Sequence, residues 1–243
     1  MLLCGAVYFA IQIYCDFSGY SDIAIGTAKL FGFDLMMNFS FPYFSQNISE
    51  FWQRWHISLS SWFRDYVYIP LGGSRKGLLL RFRNIFIVFV LSGLWHGANW
   101  TFVVWGTLHA IYLIIYTIFQ REKQIDIDAG ESVKGLLNMI VTFVFVVLAL
   151  IFFRAKDLYH AFYYFHQMFS PSLFEIPNYL PKRLFVLISI FFAIEWFGRN
   201  QTYALAGIAR NYPRVIRWSL YYAMLISMLM LSGIEQPFIY FQF

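Results

Sequence analysis

The sequence has few charged residues for its length, and this scarcity limits the class of protein. Asp, Glu, Lys and Arg together make up 13% of the 243 residues, whereas soluble domains contain about 25%. Hydrophobic residues make up 60% and aromatic residues 22%. A soluble fold of this length cannot cover so much apolar surface, and large exposed apolar patches mark membrane or partner interfaces. The composition therefore excludes an ordinary soluble enzyme and indicates a membrane protein.

Cysteine is also scarce. The two cysteines, Cys4 and Cys15, are eleven residues apart in one apolar segment, which in a helix separates them by about 16 Å. A disulfide requires Cα atoms within about 7 Å, so these two do not pair with each other. The sequence has no Cys-x-x-Cys motif and no glycine-rich phosphate loop. We predict neither a redox centre nor a metal site.

The apolar residues form continuous runs, which predict helices. A membrane β-barrel would instead need short strands that alternate apolar and polar residues. Five regions predict membrane segments, the second long enough for two passes: 1–15, 84–119, 136–153, 184–197 and 216–233. Loops 74–83 and 198–217 carry basic residues without acidic ones, so the positive-inside rule places both in the cytoplasm. The predicted fold is all-α, a polytopic transmembrane helix bundle with an amphipathic or re-entrant helical segment.

Residues 42–83 differ from the apolar runs around them. Asn47 and Glu50 have the spacing of a helix capping box, and the pattern that follows predicts a helix over 51–65. That helix would carry an aromatic stripe and a separate hydrogen-bonding stripe: Phe51, Trp55, Leu59 and Trp62, then Arg54, Ser58, Ser61 and Asp65. One interpretation is an interfacial helix with tryptophan anchors. The other draws the helix into the membrane, where ionisable groups are costly and usually functional.

His96 lies in the segment 91–100, whose small and polar residues interrupt an apolar run. Counted from the preceding basic loop, His96 is about 18 Å deep in a helix, near the middle of a hydrocarbon core about 30 Å thick. A neutral histidine packed between helices is one interpretation, but Gly93, Gly97 and Asn99 favour a functional one, because irregular backbone at this depth lines protein or a wet cavity. Three other histidines are interpreted as structural: His109, His160 and His166.

Five blocks of the sequence together resemble one family. They are 14–22 (Tyr-Cys-Asp-Phe-Ser-Gly-Tyr-Ser-Asp), 38–43, 51–60 (Phe-Trp-Gln-Arg-Trp-His-Ile-Ser-Leu-Ser), 62–73 and 92–97 (Ser-Gly-Leu-Trp-His-Gly). Their order and spacing resemble the bacterial membrane-bound O-acyltransferases, the MBOAT family, and within it the branch of the alginate O-acetyltransferase membrane subunit. The resemblance covers only about the C-terminal half of a family member. It implies that residues 1–243 are the C-terminal portion of a single membrane domain whose N-terminal helices are absent.

The resemblance implies an acyltransferase. In the family, an acyl group, in this branch acetyl, passes from a cytoplasmic thioester to a hydroxyl of an exported polysaccharide or of its partner protein. His96 matches the catalytic histidine and His56 the second functional one, and a neutral imidazole suits a base that takes a hydroxyl proton near neutral pH. Substrate or donor contacts are expected from six residues near these histidines: Arg54, Trp55, Arg64, Asp65, Trp95 and Asn99.

The resemblance also implies the surroundings of the protein. We expect a multi-pass protein of the bacterial cytoplasmic (inner) membrane, in contact with membrane lipid and with periplasmic or extracellular polysaccharide-acetylation proteins. No tightly bound cofactor is expected, and the acyl donor is a thioester such as acetyl-CoA or an acyl carrier. Because the basic residues flank membrane segments, no nucleic-acid partner is expected.

Other functions remain open at this point. Within the family, D-alanyl transfer to teichoic acid uses similar motifs. A haem-binding electron carrier would use His56, His96 or His109 as axial ligands. A transporter or a non-catalytic export scaffold would also accommodate polar groups inside a helix bundle.

Overall fold

The computed structural model describes residues 2–119, 132–171 and 181–231. Over these ranges the regular structure is helical and contains no strand, which confirms the all-α prediction. The α-helices are α1 Leu2–Leu30, α2 Ile48–Arg54, α3 Ile57–Phe63, α4 Leu78–His96, α5 Trp100–Phe119, α6 Val133–Arg154, α7 Leu158–Met168, α8 Lys182–Gly198, α9 Ala206–Asn211 and α10 Arg214–Leu231. A 3₁₀ turn spans Pro42–Phe44 and a π-helical turn spans Arg64–Tyr68.

Five of the described helices are long and apolar enough to cross a membrane: α1, α4, α5, α6 and α10. The chain is therefore a multi-pass membrane protein, as its composition predicts. The segment predicted at 184–197 corresponds to α8, which has 17 residues and is shorter than the about 20 residues that a straight span requires.

The chain divides into two compact units, residues 1–177 and 178–242. The first unit contains α1 to α7 and every residue that the sequence selects as functional. The second contains α8 to α10. Within the second unit, a Cβ on Gly198 would overlap the backbone of Ala204, so only glycine permits the close approach there.

Helices α4 and α5 form a tight antiparallel hairpin that turns at residues 97–99. A Cβ on Gly93 would overlap the carbonyl oxygen of Phe102, and a Cβ on Gly106 would overlap that of Phe89. The two backbones can approach this closely because small residues stand at the contact, as in other membrane helix pairs. The prediction that 84–119 makes two passes is confirmed, although the first helix begins earlier, at Leu78.

The single helix predicted over 51–65 is wrong, because the chain breaks it at His56. Helix α2 ends at Arg54 and α3 begins at Ile57, while His56 has φ 44° and ψ 55°, in the left-handed region. A left-handed residue cannot continue an α-helix, and outside glycine it costs about 1–2 kcal/mol. The predicted aromatic stripe is therefore divided: Trp55 is buried, whereas Trp62 is 51% exposed.

The capping box at the start of α2 is confirmed. Asn47 Oδ1 accepts a hydrogen bond from the Glu50 N–H at 2.9 Å. The Glu50 carboxylate accepts in return from the N–H of Gln46 at 2.7 Å, one residue before the usual partner. Asn47 thus fixes where α2 begins and its direction relative to the preceding turn.

Helices α2 and α3 form a second hairpin, with His56 at its apex, that runs beside α4 and α5. In α2, the Trp52 ring lies 5.0 Å from the Phe89 ring, near the middle of α4. At the apex, the His56 ring is 6.4 Å from Trp95, the penultimate residue of α4. After α3, the carbonyl of Gly73 accepts a hydrogen bond at 2.9 Å from the amide of Asn84, near the start of α4. The chain therefore reverses direction at His56, and the interfacial and re-entrant interpretations of this segment both stay predictions.

Candidate functional site

The backbone of residues 38–40 crosses the apex of the α2–α3 hairpin and holds it from both sides. The N–H of Ile57 donates to the carbonyl of Asn38 at 2.9 Å, and the N–H of Ser40 donates to the carbonyl of Arg54 at 2.9 Å. These bonds bracket His56 and fix its left-handed backbone. Strained backbone of this kind persists where the surrounding structure over-determines it, and it is concentrated at functional sites.

The His56 side chain belongs to a hydrogen-bond network centred on Asn38. His56 Nδ1 lies 3.1 Å from Asn38 Oδ1, and the same oxygen accepts from the Ser58 N–H at 3.2 Å and from the Ser58 hydroxyl at 3.0 Å. On its other side, the Asn38 amide nitrogen donates to the Ser21 hydroxyl at 3.3 Å. Helix α1, the 38–40 segment and α3 therefore all contribute to the position of one imidazole.

Aromatic rings surround the rest of the His56 imidazole. Phe17 packs edge-on at 4.8 Å and Phe39 lies 6.4 Å away. His56 is 8% exposed, and this burial lowers its pKa from 6.5 to about 4, because a charged imidazolium would lose its hydration. His56 is therefore neutral at physiological pH.

His96 is the last residue of α4. Because α4 begins at Leu78, His96 lies about 27 Å along the helix, at its end. Its depth near the middle of the hydrocarbon core, counted from the basic loop 74–83, stays a prediction. The helix stops there because Gly97 leaves the helical conformation and the glycine contacts between α4 and α5 fold the chain back.

The His96 ring lies among the rings of three elements. Trp105 of α5 packs edge-on at 5.2 Å, and Phe153 near the end of α6 packs edge-on at 4.9 Å. The neighbouring Trp95 ring is 5.0 Å away. His96 is thus positioned by packing against α5 and α6 as well as by its own helix.

The structure brings together the two histidines that the sequence selects. The Trp95 ring is next to both, 6.4 Å from the His56 ring and 5.0 Å from the His96 ring, and it is 58% exposed. The two imidazoles belong to separate elements, His56 to the apex of one hairpin and His96 to the turn of the other.

Of the predicted contact residues, three make ion pairs near the surface. Arg54 pairs with Glu50 at 2.7 Å within α2. Arg64 pairs with its neighbour Asp65 at 2.7 Å, with both side chains largely exposed. Hydrogen bonding to Asp65 raises the pKa of Arg64, and the same bond lowers the pKa of Asp65. Exposed pairs contribute little to stability.

Of the remaining three, Trp95 lies beside both histidines, whereas Asn99 and Trp55 make structural contacts. Asn99 Nδ2 donates to the carbonyl of Lys156 at 2.8 Å, and its Oδ1 accepts from the N–H of Thr101 at 3.1 Å, which caps α5 and ties it to the α6–α7 connection. Trp55 is buried and stacks on Phe51 at 5.6 Å.

Sequence reasoning missed the residues that hold the two histidines. Asn38 and Ser58 contact His56, and Trp105 and Phe153 contact His96. Asn38 stands in one of the motif blocks, but no local pattern indicates that its side chain meets a residue eighteen positions later.

A cavity of about 710 Å³ lies between the α2–α3 hairpin and helices α4 and α5. Its polar lining includes Ser60, Ser61, Arg64 and Arg81. It extends to Ile57, the residue after His56, and to Ser92, one helical turn before His96. The cavity thus reaches the neighbours of both histidines. Arg81 Nε is buried there without a hydrogen-bond partner among the described residues, so it can bind an anionic or carbonyl oxygen.

The described residues contain no group of three or more His, Cys, Asp or Glu arranged to hold a metal ion. Cys4 and Cys15 are both exposed. His109 is 1% exposed and packs against Trp52 and Trp105 at 5.0 Å each, which agrees with its interpretation as a packing residue.

Comparison with known proteins gives a consistent result. The model of the MBOAT, membrane-bound O-acyltransferase family matches residues 1–124. A probable alginate O-acetylase of Pseudomonas aeruginosa is 41% identical over 204 residues, covering 82% of this chain and 38% of that protein. A peptidoglycan O-acetyltransferase of Helicobacter pylori is 44% identical over 150 residues, covering 62% of this chain and 28% of that protein.

A teichoic acid D-alanyltransferase of Bacillus subtilis is 32% identical over 160 residues, covering 63% of this chain and 40% of that protein. The chain therefore aligns with less than half of the length of each of these three relatives.

Proposed function

Because this chain belongs to the membrane-bound O-acyltransferase family, we propose that it passes an acetyl group from a cytoplasmic thioester to hydroxyls of an exported polysaccharide or of its partner protein. The observation that carries this proposal is the pairing of His56 with His96 beside Trp95. These two histidines supply the proton acceptors that acyl transfer to a hydroxyl needs.

His96 acts as the general base. It takes the proton of the acceptor hydroxyl while the oxygen attacks the carbonyl carbon of the thioester, so that a C–O bond forms and the C–S bond breaks. The proton then passes to the departing thiolate, which leaves as a thiol. His56 orients the donor or assists the proton transfer. The aromatic rings around His96 keep the site dry, which strengthens the electrostatic interactions within it.

The cavity between the α2–α3 hairpin and α4–α5 receives the donor. Its volume of about 710 Å³ is within the range of ligand pockets. Arg81, whose Nε has no hydrogen-bond partner among the described residues, binds a phosphate of the donor at the end of the cavity near the start of α4. The thioester then lies at the end near Ile57 and Ser92. This arrangement suits acetyl-CoA or an acyl carrier, because both carry phosphate.

The setting proposed for the protein is the bacterial cytoplasmic membrane. The basic segment 74–83 faces the cytoplasm, where it attracts a negatively charged donor, and the acceptor or its partner protein approaches from outside. Transfer of D-alanine to teichoic acid is the second candidate, supported by the Bacillus subtilis relative. The two candidates differ in donor and acceptor and not in the roles of the histidines.

The test is acyl transfer by membranes that contain the protein, supplied in parallel with radiolabelled acetyl and D-alanyl thioester donors. We expect label from the acetyl donor to reach a hydroxyl-bearing acceptor, and His96→Ala to abolish transfer while the protein still inserts in the membrane. His166→Ala serves as the matched control, because His166 is exposed on α7.

Full acyl transfer by the His96→Ala variant would show that His96 is not the general base. Label from the D-alanyl donor alone would favour the second candidate. Absence of transfer from both donors would favour an export scaffold. A haem absorption band in the purified protein would support an electron carrier instead.

A further inference from the structure

The two ring nitrogens of His56 differ in chemistry, and Asn38 determines which one carries the hydrogen. The orientation of the Asn38 amide is fixed by its other neighbours. A backbone N–H can only donate, and that of Ser58 lies 3.2 Å from Oδ1. The amide nitrogen faces the Ser21 hydroxyl at 3.3 Å. The atom that faces His56 is therefore the amide oxygen.

An amide oxygen accepts hydrogen bonds and cannot donate them. It lies 3.1 Å from His56 Nδ1, and two lone pairs at that distance would repel each other. The Ser58 hydroxyl, 3.4 Å from Nδ1, gives its hydrogen to Asn38 Oδ1 at the shorter distance of 3.0 Å, so the hydrogen between Nδ1 and Oδ1 belongs to Nδ1. A neutral imidazole carries one ring hydrogen, so Nε2 then has a free lone pair.

We infer that Asn38 is a positioning residue that holds His56 as the Nδ1-protonated tautomer and leaves Nε2 as a proton acceptor. The burial that lowers the pKa of His56 to about 4 keeps the ring neutral, and so keeps this division between the two nitrogens. The consequence for catalysis rests on the proposed function. Because Nε2 has no hydrogen to give, His56 assists proton transfer and does not donate a hydrogen bond to the thioester carbonyl.

Asn38 acts on the backbone of the apex as well as on the ring. Its carbonyl accepts from the N–H of Ile57 at 2.9 Å, next to the left-handed His56. One residue therefore controls both where the imidazole stands and which nitrogen is protonated. Second partners of this kind determine the tautomer of functional histidines in other sites.

The kinetic test compares Asn38→Leu with Asn38→Asp in membranes in which the unmodified protein transfers label. Leucine removes the acceptor at similar size, and we expect kcat to fall at least tenfold with little change in KM. Aspartate keeps an oxygen facing Nδ1, and we expect it to restore most of that loss. Asn138→Leu, on an exposed position of α6, is the control and should leave kcat unchanged. Full kcat in a stable, membrane-inserted Asn38→Leu variant overturns the inference.

A second measurement reads the tautomer directly. In ¹⁵N-histidine-labelled protein the two tautomers differ in the ¹⁵N shifts of both ring nitrogens, and the His56 signals among the five histidines are those lost in His56→Gln. We expect Nδ1–H in the unmodified protein and a gain of Nε2–H in Asn38→Leu. An Nε2–H signal in the unmodified protein overturns the inference. This readout needs no activity, so it stands even if the proposed function fails or Asn38→Leu does not accumulate.

Discussion

The two hairpins that meet at the candidate site are held by different kinds of interaction. The α4–α5 hairpin depends on shape: glycines let the two backbones touch, and His96 is positioned by rings that pack around it. The α2–α3 hairpin depends on hydrogen bonds: a left-handed His56 is held by Asn38 and Ser58. The α4–α5 hairpin is therefore distinguished by its glycine contacts between backbones, and the α2–α3 hairpin by the hydrogen-bond network around His56.

This difference has physical consequences. A packed contact between backbones tolerates no added atom, yet it does not respond to pH. A hydrogen-bond network accepts changes of shape more easily, but it depends on which atoms carry protons. Substitutions at the two hairpins should therefore destabilise the protein for different reasons, which stability measurements on variants of each hairpin can distinguish.

The largest effect is expected from adding a side chain to the α4–α5 contact. Gly106→Val places carbon atoms where the carbonyl of Phe89 stands, and overpacking against backbone should cost more than about 3 kcal/mol. We expect the variant not to accumulate in the membrane, measured by immunoblot of membrane fractions and by thermal unfolding in detergent. Gly26→Ala in α1 meets no atom within 4 Å, so it should be neutral or stabilise by up to about 1 kcal/mol. Normal levels of Gly106→Val would contradict the close approach.

A smaller effect is expected from pH at the α2–α3 apex. Burial lowers the pKa of His56 to about 4, from 6.5 in the unfolded chain. Between these values the unfolded chain binds more protons, so the contribution of His56 to stability is complete above pH 6.5 and is lost as the pH falls toward 4. The loss is on the order of 3 kcal/mol. Thermal unfolding from pH 7.5 to 4.5 should show this decline, and His56→Gln should reduce it. Equal pH slopes in both proteins would show that His56 is not protected from protonation.

The smallest effect, and the most direct comparison, comes from glycine and alanine at the two histidines. At His56 the backbone is left-handed, so His56→Gly should be more stable than His56→Ala by about 1 kcal/mol. At His96 the backbone is helical, so His96→Ala should be more stable than His96→Gly by about 0.5–1 kcal/mol. Denaturant or thermal unfolding of the four variants tests both orders. The same order at both positions would mean that the two backbones do not differ as described.

Much of the architecture follows from the sequence. The apolar runs predict the membrane helices, the length of 84–119 predicts its hairpin, and Asn47 predicts the start of α2. The predictions failed where long-range contacts override a local pattern. The 51–65 stripe fits one helix, but no periodicity shows that Asn38 would hold its centre in a left-handed turn. The start of α4 was also placed too late, since the helix begins at Leu78, six residues before the predicted segment 84–119.

The sequence by itself determined the helical membrane class, the family motifs and the two histidines, because hydrophobic runs and short motifs are local features of the chain. Only the tertiary structure decided that His56 and His96 both lie beside Trp95, and that His56 Nδ1 faces Asn38. Those facts depend on contacts between residues far apart in the chain, such as the glycine contacts that fold α5 back onto α4. A pattern along one helix cannot specify which other element fills the space beside it.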